Sequence, residues 1–360
     1  MISSVCFTKE YIREQCAALE VGVDRVVQVE KSIHALALLG HLAKTDLEFV
    51  FKGGTSLLLY LPRIKRLSID IDIMSDAPDD QLEEIIEQIS VLPPFVRWEK
   101  QNRGERGQPE HRHFKLFYMS SIEGLERHIL LDVVPKNGCN LTCIKKPITT
   151  EFITIKEEVL VTVPTLDALL GDKLTAFAPH TVGVHFVSAS GRSMAMQVVK
   201  QMFDVGELFN EIQDLNAVKE AYLESHKLEN DWRGGTHSLQ DSLADTKNVS
   251  LQLCCHDLNY ENMDAEIVAK LKRGIREVRS HLVRDPFSEN REAKVAAAKA
   301  YLLAACLDGS VDLTTEQLSF DLTERLDFIR TANISEPQCL NSLKRTVPEA
   351  FYYLALAMGA

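Results

Sequence analysis

Apolar residues recur at three- and four-residue spacing through residues 24–44, which predicts an amphipathic helix. A short strand is expected over Glu48–Lys52, and the pattern then breaks into a turn at Gly53-Gly54-Thr55. The run SLLLYL that follows predicts a brief helix stopped near Pro62. Ser68–Met74, SIDIDIM, alternates strictly, so it reads as a strand that buries isoleucines on one face and presents Asp70 and Asp72 on the other. A helix over 79–92, a polar connection over 97–112, and strands over 113–119 and 128–134 come next. Beyond about residue 160 the β-branched alternation stops. Helices are predicted over 165–177, 194–210, 263–283, 291–307 and 315–330, with a polar loop over 227–248. The pattern divides the chain into residues 1–160, of strands and helices, and residues 161–360, mostly helical.

A chain of 360 residues, 45% of them hydrophobic, is long enough for two buried cores. Its formal charge of −12 excludes a global attraction to nucleic acid or to an anionic membrane. Any polyanion must be bound locally, and basic residues cluster at Arg63, Lys65 and Arg66, in 97–115, and in 270–284. In the last of these, Lys270, Lys272, Arg273, Arg276, Arg279 and Arg284 face Glu277 alone, beside an apolar stripe of Ile267, Leu271, Ile275, Val278 and Leu282, so one basic helix face is expected. No apolar run reaches membrane-span length and the N-terminal stretch lacks an export-signal pattern. Eight scattered cysteines do not make a disulfide framework, which leaves a reducing cytoplasm as the expected setting. Neither Cys139-x3-Cys143 nor Cys254-Cys255-His256, expected at a helix start or in a loop, builds a four-ligand zinc site. His111 and His113 are expected as surface or cleft side chains.

The candidate chemistry centres on Asp70 and Asp72. Two aspartates at i and i+2 of a strand place like charges roughly 6 to 7 Å apart on one face, which is destabilising unless a cation neutralises them. A hard divalent ion such as Mg²⁺ is the economical answer, and carboxylate-held Mg²⁺ serves phosphoryl transfer. Upstream, the glycine turn lets backbone N–H groups approach a phosphate. Fourteen residues separate Thr55 from Asp70, enough for a short helix and a return that sets turn and acids face to face. Asp132, alone in the apolar run His128–Val134, is the candidate third carboxylate, since an unpaired buried acid there is costly.

These residues resemble a known family. Lys52-Gly53-Gly54-Thr55-Ser56-Leu57, Arg66-Leu67-Ser68-Ile69-Asp70-Ile71-Asp72 and Asp132 resemble the nucleotidyltransferase toxins of the AbiEii/AbiGii abortive-infection type, within the polymerase-β-like superfamily. Gly171-Asp172-Lys173-Leu174-Thr175-Ala176-Phe177 is similar to the family's helical lysine motif, and Lys200-Gln201-Met202-Phe203-Asp204-Val205 to its later aspartate motif, with Gln201 where the family usually has an acid and His180 near its usual arginine. The resemblance implies an α+β fold: a polymerase-β-like domain with a mixed sheet, then a helical domain contributing Lys173 and Asp204 to the cleft. It implies NTP binding by Lys52, Gly53, Gly54, Thr55, Arg66 and Ser68, Mg²⁺ held by Asp70, Asp72 and Asp132, and charge neutralisation by Lys173 with Asp204. It further implies transfer of an NMP to an acceptor hydroxyl, with RNA, in some members the tRNA 3′ end, as acceptor and a cognate antitoxin as partner. From the residues alone a protein or small-molecule acceptor stays open, as does a nucleotide-binding module without turnover.

Overall fold

The computed structural model describes residues 1–61, 63–101, 112–283 and 286–360. The chain is α+β and divides into two compact units, Met1–Thr165 with Ser280–Asp285, and Leu166–Arg279 with Pro286–Ala360.

In the first unit, α1 (Lys9–Ala18) and α2 (Val26–Leu42) precede β1 (Val50–Lys52), α3 (Gly53–Ser56), β2 (Ile71–Met74), α4 (Asp79–Ser90), β3 (Phe95–Gln101), β4 (Arg112–Met119), β5 (Glu126–Val134), β6 (Cys143–Pro147) and β7 (Leu160–Pro164). Five strands form a sheet in the order β1-β2-β5-β4-β3; β2 and β5 are parallel and the other pairs antiparallel, which makes it mixed. Strands β6 and β7 pair in a second, two-stranded sheet. Ile71, Ile73, Leu131, Val133, Phe114 and Leu116 bury one face of the large sheet in a core shared with Ile33, Leu36 and Leu39 of α2. Alternation therefore puts Asp72, Asp132 and His113 on the other face.

Several expectations change. The polar connection expected over 97–112 begins inside β3, an edge strand whose exposed positions carry Arg97, Glu99 and Lys100 and so hide the alternation, and ends on the first residue of β4; residues 102–111, His111 among them, lie outside the described residues. The glycine pair does not precede a helix but forms the first turn of α3, with Leu57–Leu59 continuing as a 3₁₀ turn. The acidic strand is shorter than expected. Gly53, at φ +78°, turns the chain away after the Lys52↔Asp72 pairing, so the β1–β2 ladder stops there and Asp70 lies just ahead of β2.

The second unit holds α5 (Leu166–Ala176), α6 (Ala195–Leu208), α7 (Leu215–Trp232), α8 (Leu239–Cys255), α9 (Ala265–Val278) and α10 (Glu292–Leu307), followed by further helical segments including Leu322–Thr331 and Pro348–Ala357. The loop expected over 227–248 is instead the end of α7 and most of α8. Helix α8 opens with a Ser238–Asp241 capping box and buries Ser242, Thr246 and Ser250 beside Leu243, Val249 and Leu253, so small hydroxyls interrupt the apolar stripe that would have revealed it. Cys254 and Cys255 end this helix and are fully buried, not placed at a start or in a loop. The helix expected over 263–283 stops at Val278 and a 3₁₀ turn, Arg279–His281, follows; from there the chain pairs within the first unit, where Leu67 N donates to His281 O (2.7 Å) and Val283 N to Lys65 O (2.8 Å). Among the described residues no helix is long and apolar enough to cross a membrane.

Candidate active site

Packing around the glycine pair is tight. A Cβ on Gly53 would lie 2.0 Å from Asp72 Oδ2, and one on Gly54 would lie 2.2 Å from Arg66 Nη2. Neither contact leaves room for a side chain, so the first turn of α3 is pressed between a carboxylate and a guanidinium. Thr55 is fully buried and its hydroxyl donates to the Asp70 carbonyl, while Ser56 Oγ donates to Gly53 O at 2.7 Å. These bonds tie the glycine turn to the segment leading into β2. Upstream of the acids, Arg66 is buried and bridges Leu282 through its backbone, and Ser32 Oγ on α2 donates to Ser68 O at 2.8 Å. Lys52, Gly53, Gly54, Thr55, Arg66, Ser68, Asp70 and Asp72 are thus brought together in the first unit.

Asp132 joins them through register. Parallel pairing of β2 and β5 sets Asp132 directly beside Asp72, and antiparallel pairing of β5 and β4 sets His113 on its other side. Lys52, Asp72, Asp132 and His113 consequently form one row across four strands. Adjacent like charges in a sheet are unfavourable, which is a reason for the flanking donors and for a cation. His113 Nδ1 lies 2.6 Å from Asp132 Oδ1, so this histidine, half-buried, is a partner of the third carboxylate. Sequence reasoning placed it only at a surface or cleft because strand register cannot be read from one chain. It also passed over Lys31 on α2, whose pKa is lowered by burial and pushed back up by the Asp70 carboxylate.

Asp70, Asp72 and Asp132 supply the hard oxygen donors that Mg²⁺ takes; Asp72 and Asp132 share one sheet face and Asp70 stands just ahead of β2, so the set fits that ion in kind. As their side chains stand, no three His, Cys, Asp or Glu among the described residues converge on a point that could hold a metal.

In the second unit Lys173 and Asp204 form an ion pair of 3.0 Å in which Lys173 is 6% and Asp204 0% exposed. Gln201 Oε1 also accepts from Lys173 Nζ, at 3.1 Å. The amide at the position of the family's acid therefore still grips the motif lysine. On another side of α5, Gly171 lets α7 close in, because a Cβ there would lie 2.6 Å from Tyr222 N. His180 is held by Asp245 on α8, through its backbone N (2.7 Å) and Nδ1 (2.8 Å), and that hydrogen bond raises its pKa. On α9, Ile267, Val268, Leu271, Gly274, Ile275 and Val278 are buried, while Arg273 and Arg276, and Arg279 just past its end, are exposed and Lys272 is half-buried. Lys270 pairs with Glu266 and Arg273 with Glu277, which neutralises part of the basic face.

A mixed sheet that sets an acidic pair beside a glycine turn, followed by a helical region, is the architecture of an α+β nucleotidyltransferase. The chain belongs to the family described as nucleotidyl transferase AbiEii toxin, type IV TA system, whose model matches residues 37–300. Among solved structures the chain is similar to MenT4, a nucleotidyltransferase toxin from Mycobacterium tuberculosis, at 15% identity and a TM-score of 0.48, covering 88% of this chain and 96% of that one. It is also similar to JHP933 from Helicobacter pylori, at 14% identity and a TM-score of 0.42, covering 84% and 96%. No curated protein matches it.

Proposed function

We propose that this nucleotidyltransferase moves an NMP from NTP to a hydroxyl of RNA, the tRNA 3′ end being the acceptor implied by the family, and that it acts as a toxin restrained by a cognate antitoxin. The observation that carries the reading is the seat of the glycine turn, with Gly53 against Asp72 and Gly54 against Arg66. In this reading backbone N–H groups of Gly53, Gly54 and Thr55 would cradle the triphosphate between a guanidinium and carboxylates, and Lys52, Arg66 and Ser68 would supply further donors. Asp70, Asp72 and Asp132 are the residues that would hold Mg²⁺, which when bound would stabilise charge developing on the phosphoryl oxygens. The acceptor oxygen attacks the α-phosphorus, the bond to the β-phosphate oxygen breaks, and pyrophosphate leaves. Asp132 takes the hydroxyl proton. Lys173, gripped by Asp204 and Gln201 within the second unit, is the residue to which the family resemblance assigns offsetting charge on the departing pyrophosphate.

The test is incubation with labelled NTPs, Mg²⁺ and total cell extract, followed by separation of RNA, protein and small molecules. Label in RNA that disappears with Asp70→Ala supports the reading. Label in protein or in a small molecule would replace the acceptor, and pyrophosphate release from no acceptor pool would overturn the activity. For the acceptor surface, charge reversal at Arg276 and Arg279 is expected to lower RNA labelling several-fold, most strongly at low salt; unchanged labelling would remove α9 from the acceptor path.

A further inference from the structure

We propose that His113 is a positioning residue for the transfer reaction: it fixes the carboxylate of Asp132 from the β4 side, a role that rests on the function assigned to Asp132 above. The argument begins with the sheet. In the row Lys52, Asp72, Asp132, His113, the two carboxylates are register partners on neighbouring strands. Their repulsion would swing Asp132 away from Asp72, and the only direction open along the row is toward β4. There it meets His113 at 2.6 Å, at the short end of hydrogen bonds to a charged group. An ionised carboxylate only accepts, so the proton of this bond sits on Nδ1 and the tautomer of His113 is set by Asp132.

Burial makes the contact a clamp. The His113 side chain is 11% exposed and that of Asp132 26%, so neither has the rotamer freedom of a surface pair. Carboxylate rotation about χ2 is broad and poorly restrained by itself, and a single fixed donor removes most of it. His113 therefore touches neither substrate nor ion in this proposal; it acts by keeping one oxygen of Asp132 engaged and the carboxylate plane constant. Partners of this kind behind a ligating group typically change metal affinity or activity by about 10- to 100-fold when removed.

His113→Leu keeps the bulk and deletes the donor, whereas His113→Asn keeps an N–H donor close to the position of Nδ1. The experiment compares both with wild type in three readouts: single-turnover NMP transfer, Mn²⁺ binding by electron paramagnetic resonance, and thermal unfolding. His113→Leu is expected to slow transfer and to weaken Mn²⁺ binding, each by about 10- to 100-fold, with little change in KM for NTP. His113→Asn is expected to restore both to within a few-fold. Wild-type behaviour of His113→Leu would overturn the proposal, as would a folded His113→Asn no better than His113→Leu. Asp132→Asn, run alongside, separates the levels: if it is inactive while His113→Leu is normal, only the positioning role falls, and if it transfers normally, the assignment of Asp132 falls and this proposal with it.

Discussion

Gly53→Ala should uncouple activity from folding. The native residue sits at φ +78°, in the left-handed region, where alanine is disfavoured by about 1 kcal/mol. That alone is tolerable for a protein of ordinary stability. The larger effect is local, because the new Cβ would lie 2.0 Å from Asp72 Oδ2, whereas an ordinary contact needs about 3.4 Å. The carboxylate must retreat by more than about 1 Å, and a displacement of that size at a reacting centre costs on the order of 10²-fold in rate. Gly54→Ala provides the contrast. Its Cβ would meet Arg66 Nη2 at 2.2 Å, the far end of a flexible side chain, so a loss of about tenfold, mainly in KM for NTP, is expected. Labelled NTP incorporation under saturating nucleotide, with thermal unfolding of each variant, measures both effects. Gly53→Ala with wild-type turnover, or with a loss no larger than that of Gly54→Ala, would refute the reasoning that the turn sets Asp72.

Lys173→Met leaves the fully buried Asp204 without its lysine and is expected to lower unfolding stability by about 3 kcal/mol or more; the double variant with Asp204→Leu should recover much of this and no activity, and urea unfolding checks both. A single variant within about 1 kcal/mol of wild type would show that the pair is not desolvated. His34 stacks on Tyr118 with ring centroids 3.6 Å apart, and burial lowers its pKa to about 4. The unfolded histidine takes up its proton near pH 6.5 and the folded one only near pH 4, so stability is present at neutral pH and is lost as pH falls through that window, by about 2 kcal/mol at pH 5. His34→Phe should flatten this dependence in denaturant titrations between pH 7 and 5, and an unchanged slope would assign the acid sensitivity elsewhere.

Local pattern made the mixed nature of the chain legible, and with it the acids of SIDIDIM and the glycine turn, whereas the motifs around Lys173 and Asp204 were legible only through the family resemblance. The former depend on neighbours within a few residues, where periodicity and residue type carry the information. Edge strand β3 and helix α8 escaped for a shared reason, an interrupted apolar pattern: the first faces solvent along much of its length, and the second buries serines and threonine among its few apolar residues.

By itself, then, the sequence offered candidates for phosphoryl chemistry, because Asp70, Asp72, Gly53 and Gly54 lie close along the chain and in the order that the family resemblance implies. Only the tertiary structure decided that Asp132 stands beside Asp72, that His113 holds it from the next strand, and that Lys173 is buried against Asp204 and Gln201. Strand register and helix packing are settled by the burial of whole faces, a property of the folded chain that no short window of residues contains.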